Sequence, residues 1–277
     1  MSSAPLYIVP TPIGNLQDIT QRAIDVLSSV AWIAAEDTRH SAKLLQHFRI
    51  QAKTLSLHDH NEDSRSQMLC QKLLNGETVA LISDAGTPLI SDPGYKLVSR
   101  CRDQGIDVIA LPGPCAAITA LSASGLATDK FIFEGFLPAK TVARQTVLEA
   151  LTSRPHTTVF YEAPRRVLDT LKDVQAVLGD ARHIVLAKEL TKTFERYISG
   201  NAQTVIDWLE ADAVHQKGEF VLMIDGVQIE KNDIPADAMS LLKRLKADLP
   251  LKKAAAIVAD HYQLKKNALY QAGLDLE

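Results

Sequence analysis

The chain has 277 residues, of which 46% are hydrophobic and 23% charged, with a formal net charge of −3. That length allows a sizeable core and suggests about two domains, and the composition is that of a soluble globular protein. The slightly acidic balance excludes nucleic-acid binding through a global positive field, so any such surface must be local.

Strand and helix patterns alternate along the first half. Residues 6–9 read as a strand that ends in Pro10-Thr11-Pro12, and Thr20 reads as the N-cap of a helix over 22–30. A strand over 32–35 precedes a helix capped by Ser41 and running to Phe48. A strand over 53–57 precedes a helix over 64–74, which Asn75-Gly76 stops. Strands follow at 78–82 and 107–111, with a helix over 95–104 between them. Pro112-Gly113-Pro114 opens a helix over 115–124, and Gly125 stops it. Such alternation implies βαβ units and a parallel sheet.

A second α/β domain is expected over 123–230, after a first over 1–122. It is mixed rather than purely parallel. Its strands are 131–133, 157–161, 184–186 and 220–224, with a further one at 196–199, and its helices are 142–151 and 166–177. Residues 231–277 differ, with three short helices at 239–247, 252–261 and 265–272. Within 240–266 seven basic residues face two acidic ones, a local charge of +5. Short helices with basic flanks suit a helix-turn-helix on phosphates; the alternative is a solvated face on a small C-terminal bundle. Cys70, Cys101 and Cys115 are odd in number and lack C-x-x-C spacing, which argues against a disulfide frame or zinc ribbon. No basic n-region precedes Pro5 and no apolar stretch reaches membrane-spanning length. The expectation is a cytoplasmic protein with no membrane partner.

Three loops follow strand ends, where open α/β sheets bind ligands. The first, 10–15, has two prolines that fix its shape and Gly14, which allows close approach to a ligand. The second, Ser83 to Gly94, carries two carboxylates and no Lys-Ser/Thr ending, so it is no P-loop. Its charge suits a ligand with hydroxyls or positive charge, such as S-adenosylmethionine (SAM). The third, 112–117, offers free N–H groups at a helix N-terminus.

Seven segments, "VPTPIGNLQDIT", "EDTRH", "ISDAGTPLISDPG", "LPGPCAA", "EGFLPAK", "FYEAPRR" and "KELTK", occur in order. They resemble the small-subunit ribosomal RNA 2'-O-methyltransferase I family of the tetrapyrrole methylase superfamily. The resemblance implies an α/β fold of two domains with SAM in the interdomain cleft, plus a small C-terminal helical segment. It also implies a homodimer that methylates the ribose 2'-hydroxyl of a cytidine in the decoding region of 16S rRNA, within the small (30S) ribosomal subunit. Carried onto this chain, Pro12, Asp84, Ala85, Gly86 and Thr87 hold the methionine portion and ribose of SAM. Cys115 and Ala116 contact it through backbone atoms, and Tyr161 and Ala187 close the adenine side. Arg165 stands where the family pattern has His.

A ribose hydroxyl is protonated at neutral pH, so a base or a cation beside the developing alkoxide would add roughly 10²–10⁴-fold. The candidates are Glu36, Asp37, His58, Glu62, Lys188 and Glu189, with Lys188 and Glu189 preferred; the alternative for that pair is a surface ion pair. Glu36 and Asp37 are also candidates for holding the cytidine ribose, and Arg39 for a phosphate. His58 with His60 is read as a polar substrate loop rather than a metal site, for want of a third ligand. Lys140, Arg144, Arg165 and Arg166, with the C-terminal lysines, would form the RNA surface. Two rivals remain, a tetrapyrrole C-methyltransferase and a SAM- or nucleotide-sensing DNA-binding protein without turnover.

Overall fold

The computed structural model describes residues 3–227, 234–262 and 264–274. The chain divides into two units, Met1–Gly226 and Val227–Glu277. The boundary expected at 230/231 lies outside the described residues.

The first sheet is wholly parallel. Its strands are β1 (Leu6–Ile8), β2 (Trp32–Ala35), β3 (Lys53–Ser56), β4 (Val79–Ile82) and β5 (Val108–Ala110), in the order β3-β2-β4-β1-β5. β4 reads Val-Ala-Leu-Ile and is buried throughout, as a central parallel strand covered on both faces must be. One face packs Ile33, Ala80 and Ile82 against α1 (Gln21–Ser29) and α2 (Thr38–His47). The other packs Leu6, Ala34 and Leu81 against α3 (Glu62–Leu74) and α4 (Tyr95–Asp103). There the free thiols of Cys70 and Cys101 touch, with sulfurs 3.7 Å apart.

Thr20 caps α1, its hydroxyl accepting from Ala23 N–H at 3.1 Å. α2 begins earlier than expected. Asp37, not Ser41, is its N-cap, accepting from Arg39 N–H at 2.8 Å, and Ser41 is buried at the end of the first turn. α3 also starts two residues earlier than expected, and its buried first residue, Glu62, serves a different helix. Its Oε1 accepts from Gly94 N–H at 2.9 Å and Lys96 N–H at 2.8 Å, which satisfies the start of α4.

The second sheet is mixed, as expected. β6 (Phe131–Phe136), β7 (Thr157–Glu162), β8 (Ile184–Lys188), β9 (Arg196–Gly200) and β10 (Phe220–Ile224) lie in the order β6-β7-β10-β8-β9. β6 and β7 are parallel and the other pairs antiparallel. Strands β7, β8 and β10 alternate between two cores. Phe160, Leu186 and Leu222 face α6 (Thr141–Glu149), α7 (Val167–Leu178) and α8 (Ala202–Ala211). Val159, Val185, Ala187 and Val221 face Ala117, Ala120 and Leu121 of α5 (Ala116–Ser122). α5 therefore belongs to the first sheet by sequence and to the second by packing, and it holds the two sheets together. α8 was not expected. Asn201 caps it, accepting from Thr204 N–H at 2.9 Å, and Val205, Ile206 and Leu209 form its buried stripe.

The second unit packs α9 (Ala236–Lys246), α10 (Leu251–Tyr262) and α11 (Lys266–Leu274) around Leu242, Ala255, Val258 and Leu269.

Candidate active site

The three loops expected to share a pocket follow β4, β1 and β5, which are adjacent in the sheet. They are tied to one another. Thr11 and Gly86 exchange backbone hydrogen bonds at 2.9 Å each way. Thr87 Oγ1 donates to Pro114 O at 2.8 Å. A Cβ on Gly113 would lie 2.7 Å from Pro10 Cβ. Leu89 (φ 73°) and Ser91 (φ 67°) sit in the left-handed region within the second loop. Non-glycine residues are strained there, by about 1 kcal/mol or more each, and such strain collects at functional sites.

Between this loop cluster and the second sheet lies a cavity of about 440 Å³. Of the expected cofactor residues, Asp84, Ala85, Gly86, Thr87, Ala116 and Tyr161 line it, as does Glu36 from the expected catalytic set. Pro12 and Cys115 stand beside lining residues without lining it themselves. Ala187 is fully buried against the α5 core, behind the cavity. Gly14 is closely approached, but by Lys192, Thr191 and Leu190 rather than by open space; an added Cβ would meet Lys192 Cγ at 2.5 Å.

The cavity is acidic. Glu36 and Asp84 are joined by Asp92, which was not singled out from the sequence although it is the second carboxylate of the same loop. Burial, Glu36, Asp84 and Asp59 push the Asp92 carboxyl up to about 6, against a lowering hydrogen bond from Ser83. Burial and Asp84 also raise Glu36. Asp84 is fixed by accepting from Asp37 N–H at 3.1 Å. Carboxylates crowded until they resist ionisation form a receptor for positive charge. Tyr161 Oη accepts from Ala117 N–H at 3.2 Å, which orients its ring at the cavity wall.

Phe136 was also missed. A register shift between Phe133 and Gly135, with Gly135 at φ 69°, interrupts the alternation of β6. Phe133 and Phe136 would otherwise fall on opposite faces. With the bulge, both rings meet Tyr161, at centroid distances of 4.9 and 5.6 Å. Phe136 lines the cavity and is still 56% exposed.

The preferred catalytic pair is not in this cavity. β8 runs two residues further than expected, and its alternation puts Lys188 on the face opposite Ala187, where it lines a separate cavity. Glu189 (φ 51°) is held by its neighbours: its Oε1 accepts from Lys192 Nζ at 2.8 Å and Glu219 N–H at 2.9 Å. Burial opposes its charge, but Lys192 and the Glu219 amide outweigh it and hold the carboxyl below its usual range.

The expected RNA residues divide. Arg144 is not at the surface. It is 4% exposed and pairs with Asp173 through Nε and Nη2, both at 2.6 Å. Arg166 is bound to buried Glu162 at 2.6 Å and to Leu137 O at 3.1 Å. Lys140 and Arg165 are exposed, and Arg165 follows the cavity-lining Pro164. Arg39 is exposed and pairs with Asp37 at 2.9 Å, which holds that carboxyl at about 2. His58 is bonded through Nε2 to Asn61 Nδ2 at 3.0 Å. Among the described residues, no group of three or more His, Cys, Asp or Glu is placed to hold a metal ion, and no helix is long and apolar enough to cross a membrane.

Residues 5–206 match the family model of tetrapyrrole (corrin/porphyrin) methylases, and 232–277 match the RsmI C-terminal HTH domain. The chain is 55% identical over 274 residues to ribosomal RNA small subunit methyltransferase I of Escherichia coli O157:H7, covering 99% of this chain and 96% of that one. It is 56% identical over 271 residues to the protein of the same name from Vibrio cholerae serotype O1, covering 98% and 94%. Among solved structures, the methyltransferase CobJ aligns with a TM-score of 0.60 at 16% identity, over 81% of this chain and 95% of that one. Uroporphyrin-III-C-methyltransferase from Thermus thermophilus aligns with a TM-score of 0.57 at 16% identity, over 80% and 94%. At that identity the likeness speaks for the fold alone. The joined loops, the acidic cleft and the full-length identity agree: this chain belongs to the tetrapyrrole methylases and, within them, to the ribosomal RNA small subunit methyltransferase I family.

Proposed function

We propose that this chain transfers a methyl group from SAM to the ribose 2'-hydroxyl of a cytidine in the decoding region of 16S rRNA, in the small (30S) ribosomal subunit. The observation that carries the proposal is the acidic cleft of Glu36, Asp84 and Asp92 in a chain whose relatives are named for ribosomal RNA methylation. A sulfonium and an ammonium are the charges such a cleft attracts. The residues present fit the cofactor: the Asp84 and Asp92 carboxylates and the Ala85–Thr87 backbone on one wall, Ala116 and Tyr161 on another. When bound, SAM supplies an activated methyl, so the chain's main task is alignment of the accepting oxygen.

Glu36 is the proposed base. Its carboxyl lines the cleft and is raised, so it takes a proton from the 2'-hydroxyl more readily than an ordinary carboxylate. Phe136, exposed at the cleft and braced on Tyr161, is the stacking platform for the extruded cytosine. Lys140 and Arg165 serve RNA phosphates beside the cleft. Lys252 and Lys253 lie exposed in the first turn of α10, and Lys266 begins α11. Cations at helix N-termini oppose the helix dipole, a placement that makes sense against a polyanion. The homodimer and the cytoplasmic setting follow from the family resemblance.

The test supplies radiolabelled SAM with small subunits lacking the modification, naked 16S rRNA and a uroporphyrin-type macrocycle in separate reactions. Label in subunit RNA supports the proposal. Label in the macrocycle alone refutes the RNA substrate, and SAM binding without transfer to any acceptor favours a sensing protein.

A further inference from the structure

The second sheet carries another cavity, of about 540 Å³, on the face away from α5. Lys188 and Arg196 line it from adjacent strands and are direct antiparallel partners in the β8–β9 register. Both side chains lie on the face of Leu186 and Ile198, which pack into the α7–α8 core. Lys188 is 5% exposed. Among the described residues, neither Lys188 nor Arg196 has an ion pair or side-chain hydrogen bond. The adjacent acid Glu189 spends its hydrogen bonds on Lys192 and the Glu219 amide, and meets Lys188 only as a charge through space.

Like charges directly across a ladder repel, and an unpaired buried ammonium is costly. No compensating acid lines this cavity. Its other walls carry aromatic rings beside Ile198, Ser199 and Val214. Trp208 and His215 stack with centroids 4.0 Å apart and planes 8° from parallel. His215 Nδ1 donates to Trp208 O at 2.7 Å, which fixes the imidazole against the indole. Phe194 lines the same cavity and is 73% exposed.

Two cations without an ion-pair partner, beside aromatic rings of which Phe194 is exposed, match one ligand chemistry, a phosphate joined to a base. We propose that this cavity is a second nucleotide site. Lys188 and Arg196 hold a phosphate, and Phe194 or the Trp208–His215 stack receives the base. The site is separate from the cofactor cleft, and its ligand is a nucleotide of an RNA strand or a free mononucleotide.

Trp208 can report on its own cavity, because Trp32 is the only other tryptophan. In a Trp32→Phe background, its fluorescence would be titrated with a single-stranded oligoribonucleotide, with uridine monophosphate and with inorganic phosphate. The expected result is a saturable change with a nucleotide probe that weakens about tenfold in Arg196→Gln and in Lys188→Gln. A change with the oligoribonucleotide alone assigns the site to RNA, and a change with the monophosphate as well assigns it to free nucleotide. SAM binding by each variant checks folding, and Arg196 is exposed enough to be replaced without disturbing the core. No saturable change with any probe, or affinities within twofold of the parent in Arg196→Gln, overturns the proposal. So does a change in oligomeric mass in Arg196→Gln with no effect on the probes, which would make the cavity a subunit contact. Methyl transfer by the parent protein tests the function proposed for the cleft independently of these titrations.

Discussion

The acidity of the cleft predicts a particular pH dependence for cofactor binding. In the ligand-free protein Asp92 titrates at about 6 instead of 3.8, because burial and the carboxylates of Glu36, Asp84 and Asp59 disfavour its charge. A bound sulfonium acts in the opposite sense. If it returns Asp92 to its ordinary value, binding at pH 5 must expel a proton that about nine-tenths of the free protein carries. Linkage then makes SAM bind about tenfold more weakly at pH 5 than at pH 7, with about 0.85 proton released per cofactor at the lower pH. Calorimetry in buffers of different ionisation enthalpy reads both quantities. Asp92→Asn should weaken binding at pH 7 by about tenfold through loss of the charge, and should leave only the smaller pH dependence carried by Glu36. The sign for folding follows from the same shift. A raised carboxyl contributes stability on the acid side, which is lost as pH rises from about 4 to about 6, and Asp92→Asn should remove that loss. Equal SAM affinity at pH 5 and pH 7, or full pH dependence in Asp92→Asn, would refute the electrostatic reading of the cleft.

Other substitutions separate the roles of the remaining residues. Glu36→Gln should lower single-turnover methyl transfer by roughly 10²–10⁴-fold, with a smaller effect on SAM affinity than Asp92→Asn. Phe136→Ala should reduce transfer to RNA while SAM binding, measured by calorimetry, stays within about twofold, and Phe136→Tyr should restore transfer; one stacked base is worth about 1–3 kcal/mol. Arg144→Ala breaks a buried pair with Asp173 and should cost about 3–5 kcal/mol in urea unfolding, whereas a surface RNA contact would leave stability unchanged. Replacing Lys252 and Lys253 together by Gln should weaken subunit RNA binding and reduce the slope of affinity against salt by about two, with SAM binding intact.

Much of the fold was legible because its signals are local. The buried run of β4, the Thr20 cap and the alternation of strands with helices all lie within a few residues of one another. The shared pocket was legible for the same reason, since loops after parallel strands emerge on one edge. What escaped depends on distance or on single-residue register. Arg144 looks like a surface cation until Asp173, 29 residues away, is brought to it by the packing of α6 and α7. Lys188 changes role because β8 continues for two residues past the expected end, and in a strand each residue decides the face of the next. Phe136 turns into the cleft only through the bulge at Gly135, a glycine among aromatics that was a usable signal. α8 was legible too, from Asn201 followed by Val205, Ile206 and Leu209. The role of Glu62 in capping α4 was not, because a carboxylate serving another helix leaves no local pattern.

The proposed reaction is defined by the atom that receives the methyl group. Labelled small-subunit RNA from the reaction would be digested to nucleosides and, in parallel, hydrolysed with alkali. The expected result is label in 2'-O-methylcytidine, retained in an alkali-resistant dinucleotide because the neighbouring phosphodiester has lost its attacking hydroxyl. Label on the cytosine base, with the adjoining bond still cleaved by alkali, would contradict it.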